Sequence, residues 1–320
     1  MEMLGNRSFS LGYAALLAVA GCGVPSGVAD DDSDEHEPPA ATDDLDVCGF
    51  EEPTTARFRV EEAYANPPMY GQSARHAQVS ARLLAEPLPS QHVTTDQGSC
   101  RLSILDISGC DLGCGPTELC SIEEGCVPYP VGISGGALTL AGLDQDLTIE
   151  PETYNPGLYY GPEDLPEDLF DDGDRITATL AGDAFPALQL AARGVVPMDG
   201  DLADGQGLTL PFDEDLELLW SSGPDEDACV RLLIRAPTLG HSLNFTAMLS
   251  CSVPDTGGLV VPRELLELLP ESTCTSPYDA GSDCYGSELT RYTSQTVATP
   301  AGLATLEVSS AVYFFHHHVR

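Results

Sequence analysis

From residue 55 onward the chain is written in short apolar or alternating runs, each cut off by Gly, Pro, Asp or Asn. ARFRVEEA, AQVSARLLA, RLSILDI, ALTLAGL, DLTIEP, RITATLA and ALQLAAR are followed by DLELLWSS, CVRLLIR, LNFTAMLSC, ELTRYTSQTVA and LATLEVSSAVYFF. A period of two over four to eight residues places alternate side chains on opposite faces of a strand, and many such runs separated by turn residues define sandwiches and barrels. One stretch reads as a helix, Pro262 to Leu269, with Pro in its first turn and Pro270 as its stop. The expected fold is all-β: one or two β-sandwich domains of immunoglobulin-like architecture, with a small disulfide-rich insert and one short helix. Two domains are expected, 48–197 and 198–320, meeting near the loop from Met198 to Gly207, with the cysteine-rich insert 108–128 in the first.

Eleven cysteines are present, and setting Cys22 aside leaves an even ten. In an exported chain this reads as a disulfide framework. Cys110, Cys114, Cys120 and Cys126 crowd a Gly- and Pro-punctuated segment too small for its own apolar core. Interleaved bonds, Cys110–Cys120 and Cys114–Cys126, are expected there, although four cysteines allow three connectivities and zinc is an alternative occupant. Cys48–Cys100 then follows by elimination. A hairpin centred near Gly240 would set Cys229 opposite Cys251, giving Cys229–Cys251, and Cys274–Cys284 would close a short loop.

The N-terminus reads as an address. Arg7 precedes an apolar run of about ten residues, Leu11 to Ala20, where a membrane-spanning helix needs about 20. Residues 1–21 are thus expected to be a lipoprotein signal peptide. Val19-Ala20-Gly21-Cys22 resembles a bacterial lipobox, in which the cysteine is acylated with palmitate-type chains and becomes the mature N-terminus. Cys22 would then anchor the protein to a lipid bilayer, since several chains on one cysteine hold where one binds only reversibly. Cleavage after Ala29 is the rival reading and would release a soluble protein. Gly23, by resemblance to known sorting rules, favours the outer membrane of the cell envelope. Residues 22–47 comprise the lipidated Cys and an acidic linker too poor in apolar residues to build a core.

The formal charge is −38, and all 13 basic residues are arginine. Such a field repels nucleic acid, so no nucleic-acid partner is expected. Without lysine there is neither a Schiff base nor a P-loop. The arginines look scattered, with no basic patch. Gly132-Ile133-Ser134-Gly135-Gly136 matches the G-x-S-x-G nucleophile pattern, but a β-like run follows where that motif needs a helix, so a turn is expected. Asp199, Asp201 and Asp204 could hold calcium, the one cofactor entertained, and Asp171-Asp172-Gly173-Asp174 is a second acidic turn of that kind. His316 and His318 would share a face if the last strand reaches them, a weak transition-metal site. His36, His76, His92 and His241 show no common spacing, and 51 acidic residues hide any catalytic carboxylate pair.

The order CxxxC…C…C then YP, SGGALTLAGL, GDRITATLAGDAFPALQL, DLELLWSSG and LSCSVPDTGGLVVPRELLELLP resembles a family of predicted lipoproteins of Gram-negative bacteria. Its shared motifs are turn glycines, a strand Trp and one helix, so the resemblance implies architecture and no activity. Trp220, on a strand before a cysteine-bearing hairpin, also resembles the immunoglobulin arrangement in which a Trp packs on a disulfide. The function expected is a membrane-anchored envelope lipoprotein acting as a non-enzymatic binding, adhesion or structural module on a protein or glycan ligand not named by the sequence. The alternative is an extracytoplasmic hydrolase of envelope or extracellular polymers working through carboxylates.

Overall fold

In the computed structural model, which describes residues 48–50, 52–65, 75–110, 113–198, 202, 208–236, 245–273, 287–314 and 316–318, the chain is built almost wholly from strands. In chain order they are β1 (Ala56–Ala65), β2 (Arg75–Leu83), β3 (His92–Gln97), β4 (Cys100–Leu105), β5 (Glu118–Ser121), β6 (Gly125–Pro128), β7 (Leu138–Ala141) and β8 (Leu147–Ile149). There follow β9 (Leu158–Tyr160), β10 (Arg175–Leu180), β11 (Leu188–Arg193), β12 (Leu208–Thr209), β13 (Leu216–Leu219), β14 (Cys229–Ala236), β15 (Ala247–Pro254) and β16 (Gly258–Val261). The helix α1 (Arg263–Leu266) precedes β17 (Ser272–Thr273), β18 (Ser287–Thr299), β19 (Gly302–Phe314) and β20 (His316–His318).

A nine-stranded sheet, ordered β3-β4-β15-β14-β18-β19-β1-β2-β9, forms the frame. Its centre is the β18–β19 hairpin, thirteen residues a side, turned through Pro300 and Ala301 with Thr299 opposite Gly302. Gly302 has φ of 124°, and a Cβ there would lie 2.6 Å from the Thr55 methyl carbon. That close approach starts the parallel β1–β19 pair, because the Thr55 amide donates to Leu303 O at 2.9 Å. Smaller sheets are β11-β10-β7-β8, β12-β20-β17, β13-β16 and β5-β6.

Both hydrophobic cores press on one face of the large sheet. Along β19, Ala304, Leu306 and Val308 join the first core with β1, β2 and the four-stranded sheet. Val312 and Phe314, on the same face further along, join the second with β4, β14, β15, β13, β16 and α1. Burying each Leu or Phe contributes about 1.5–3 kcal/mol. Between the cores runs a polar seam. Fully buried Arg291 donates from Nε to Asp255 at 2.8 Å and from Nη1 to Val196 O and Pro197 O at 3.1 and 3.0 Å, and Nη2 bonds Ser221 O. Asp255 also accepts the Trp220 indole N–H at 2.6 Å. The chain passes from one core to the other here, Val195 belonging to the first and Met198 to the second.

At the expected boundary, 197/198, the chain moves from one core to the other, but each core draws residues from both sides of it and one sheet spans it: β1 to β4 and β9 share that sheet with β14, β15, β18 and β19, β1 pairing with β19 and β4 with β15. All described residues belong to one compact unit. The expected helix is shorter than Pro262 to Leu269. After one α turn the bonds Leu268 N to Leu265 O and Leu269 N to Leu266 O tighten to three-residue spacing, burying Leu265, Leu266 and Leu269.

Two expected disulfides are corrected. The bonds are Cys48–Cys229 and Cys100–Cys251, with Cα separations of 5.5 and 4.0 Å, in place of Cys48–Cys100 and Cys229–Cys251. The cause is register: in the β14–β15 ladder Cys229 faces Pro254 and Cys251 faces Leu232, three residues from the expected pairing. An odd shift sends the two cysteines to opposite faces of the sheet. Cys251 instead lies directly opposite Cys100 on β4, on the second core. In the insert Cys110 bonds Cys120 and Cys114 bonds Cys126, the interleaved connectivity. Cys274 and Cys284 lie outside the described residues.

A polar sheet face and its cleft

Alternation that sends Phe58 and Val60 into the first core sends Arg57, Arg59 and Glu61 to the other face of β1. Register lines them up with equivalent residues of the neighbouring strands: Arg57 beside Thr305 and Thr296, Arg59 beside Glu307 and Ser294, Glu61 beside Ser309 and Tyr292. From β14, Arg231 reaches over the Tyr292 ring, its guanidinium carbon 4.9 Å from the centroid. It donates to Glu307 through both terminal nitrogens at 2.9 Å. Arg57 Nη2 donates to the same carboxylate at 3.1 Å. Arg59 pairs with Glu61 and lies 3.7 Å from Glu307 and 3.9 Å from Glu288, which Arg235 meets at 3.2 Å. Gln78 and the Tyr313 hydroxyl donate to Glu61 at 2.6 and 2.9 Å.

Four arginines that look scattered along the sequence are thus gathered against three buried glutamates. Burial alone would raise every carboxyl here. At Glu307 and Glu288 burial is outweighed by the guanidinium charges, Arg231 and Arg57 at the first and Arg235, Arg59 and Arg231 at the second, so both are held below the ordinary carboxylate range. At Glu61 burial prevails over Arg59, and its carboxyl is raised. Burial also raises the Tyr313 hydroxyl, with Glu61 adding to the effect.

One part of this face opens as a cleft of about 970 Å³. Its floor is Arg57, Glu307, Arg231 and Tyr292, with the hydroxyls of Ser294, Thr296 and Thr305. One wall is made by Cys48, Gly49, Phe50, Glu52, Pro53 and Thr54, and the Cys48–Cys229 bond straps it to the start of β14. Gly98, Ser99 and Arg101 also line the cleft. Arg101 is forked onto Asp96 at 2.7 and 2.8 Å and covers the Phe50 ring from the wall at 4.3 Å. Ser252 and Tyr292 share a hydrogen bond of 2.8 Å, as do Thr296 and Thr305.

The residues singled out in the sequence lie elsewhere. Cys22 and the calcium candidates Asp199, Asp201 and Asp204 fall outside the described residues. Asp171, Asp172 and Asp174 occupy an exposed turn, in which the Asp171 amide donates to Asp174 at 3.3 Å. Ser134 sits in a glycine turn leading into β7, where Tyr159 accepts from the Gly135 amide and donates to Gly136 O, both at 2.9 Å. The Cys110, Cys114 and Cys126 sulfurs lie within 4.8 Å of one another, but each is in a disulfide and offers no thiolate to zinc. His316 and His318 do share a face of β20, deep in the protein. His316 Nδ1 meets Ser287 Oγ at 3.0 Å and burial lowers its pKa to about 4; His318 stacks on Phe212 with centroids 3.9 Å apart. Trp220 belongs to the core that contains Cys100 and Cys251.

No family model and no curated protein matches the chain. The cleft residues were missed because their partners are far apart in sequence: Arg231 and Glu307 are 76 residues apart. The signal that was present is charge at alternate positions of an otherwise apolar strand, Arg57, Arg59 and Glu61, which requires a second, polar face.

Proposed function

We propose that the protein is an exported, lipid-anchored module of the bacterial cell envelope, held in the outer membrane through acylated Cys22, that binds a ligand in the cleft without converting it. The leader, the lipobox-like Val19 to Cys22, the acidic linker and the disulfides support export and anchoring. The observation that carries binding over hydrolysis is the state of Glu307. Polymer hydrolysis by carboxylates needs one group able to give up a proton. Glu307 is kept ionised, with both oxygens engaged by Arg231 and one also by Arg57. Glu52 is the other carboxylate among the described cleft residues, and it is exposed at the rim.

Two measurements test this. Cells fed an alkyne fatty acid are expected to label the protein, and Cys22→Ser to abolish the label and release the protein from membranes. Purified protein is expected to leave glycosidase, esterase and peptidase substrates intact. An unlabelled wild-type protein defeats the anchor, and turnover defeats the non-enzymatic reading.

A further inference from the structure

The cleft's chemistry narrows its ligand class, an inference that rests on the binding reading above. Its volume of about 970 Å³ is at the upper end of the roughly 300–1,000 Å³ that holds a small organic ligand. Its described charges are largely spent internally: Glu307 on Arg231 and Arg57, Arg101 on Asp96. The whole chain carries −38, a field that opposes approach of any polyanion. What the floor offers instead is hydroxyl groups. A hydroxyl has one donor and two lone pairs, so the Thr296–Thr305 bond leaves that pair one O–H and three lone pairs. Ser294, exposed between them and Tyr292 along β18, adds a whole hydroxyl. Apolar surface stands alongside in Phe50, Pro53, Pro254 and Leu303. Sugar rings present this same pairing, hydroxyls at the rim and C–H groups on the faces. The cleft is also set before a ligand arrives, since its wall is strapped by Cys48–Cys229 and its floor is the central hairpin, which lowers the ordering cost of binding.

We infer that the cleft binds an uncharged saccharide, its hydroxyls on Ser294, Thr296 and Thr305 and a ring face against the apolar surface of Pro53, Pro254 and Leu303. Isothermal titration of the full-length protein with maltoheptaose, cellohexaose and hexa-N-acetylchitohexaose, and with an oligogalacturonate as the acidic contrast, tests it. At least one neutral oligosaccharide is expected to bind more tightly than the acidic one. Ser294→Trp, which fills the cleft from an exposed strand position, is expected to weaken that binding at least tenfold. The double change Thr296→Val with Thr305→Val keeps the shape and removes the hydroxyls, and is expected to weaken it several-fold. Thr148→Trp, on the remote four-stranded sheet, is expected to leave it unchanged, and circular dichroism melts confirm that each variant is folded. The assignment is overturned if no neutral oligosaccharide binds, if the acidic one binds best, or if folded Ser294→Trp binds like the parent. Mass spectrometry of the same samples separates the two claims: cleaved sugar defeats the non-enzymatic reading and leaves the cleft assignment, whereas absent binding without cleavage does the reverse.

Discussion

Glu307 and Arg231 illustrate how a buried charge is held. Both are almost fully buried, and each supplies the only kind of group that offsets the other's lost hydration. Breaking such a pair from one side typically costs about 3–5 kcal/mol, because it strands the partner. Glu307→Gln is expected to lose stability on that scale in urea unfolding, and Glu307→Leu with Arg231→Met to lose less than the sum of the single changes. Thr290 offers the opposite case. Its hydroxyl is buried without a hydrogen-bond partner, so Thr290→Val, which keeps the shape, is expected to be neutral or to stabilise by about 1 kcal/mol. His316 sets a pH dependence. Its pKa is lowered from 6.5 to about 4 by burial, so the unfolded chain takes the proton first as pH falls. Stability is then complete above pH 6.5 and declines between 6.5 and 4, by about 3 kcal/mol at the limit. Glu61, with its raised pKa, acts in the other direction, and the depressed Glu288 and Glu307 lose their contribution only below 4.5. Comparing wild type with His316→Leu across pH 7 to 4 isolates the histidine: the variant is expected to show the flatter profile.

At the scale of elements, the strands were legible and their pairing was not. β1, β10 and β19 announce themselves by period two, and each lies where that pattern puts it. β3 was missed because it is a polar edge strand with no buried side chain to write an alternation, and β9, β12 and β20 because two or three residues are too few to show one. CVRLLIR gave no register because β14 buries nearly every residue on both faces, so a slip of three costs the pattern nothing visible. For the same reason the cleft was half legible: Arg57 and Arg59 mark a polar face in the sequence, but which strands complete it is a matter of topology. Peptide mapping without reduction is expected to recover Cys48–Cys229 and Cys100–Cys251 linked peptides. Recovery of Cys48–Cys100 would contradict the register. Cys48→Ala with Cys229→Ala, opening a closure 181 residues long, is expected to cost about 2–5 kcal/mol and to speed amide exchange across residues 49–54.

For the whole molecule, one sheet serves two purposes by keeping its faces chemically distinct. The face toward the cores takes the apolar residues of both halves of the chain, and the other gathers Arg57, Arg59, Arg231 and Arg235 against Glu61, Glu288 and Glu307 in a chain that carries −38. Self-repulsion at that charge weakens the folded state and is relieved by screening. The melting temperature at pH 7 is therefore expected to rise between 10 and 150 mM sodium chloride, where a protein held mainly by surface ion pairs would show a fall.

The strap at Cys48 also decides how the molecule meets a mechanical load. Tension drawn in through the N-terminal end reaches a covalent junction at Cys48 before it reaches β1. From there it passes to Cys229, at the head of a strand flanked on both sides by β15 and β18. Force delivered to an interior strand must shear two ladders together, whereas force on a loose leading segment would unzip its bonds one at a time. Under the proposed anchoring through Cys22, a load on the N-terminal end would leave the wall of the cleft in place.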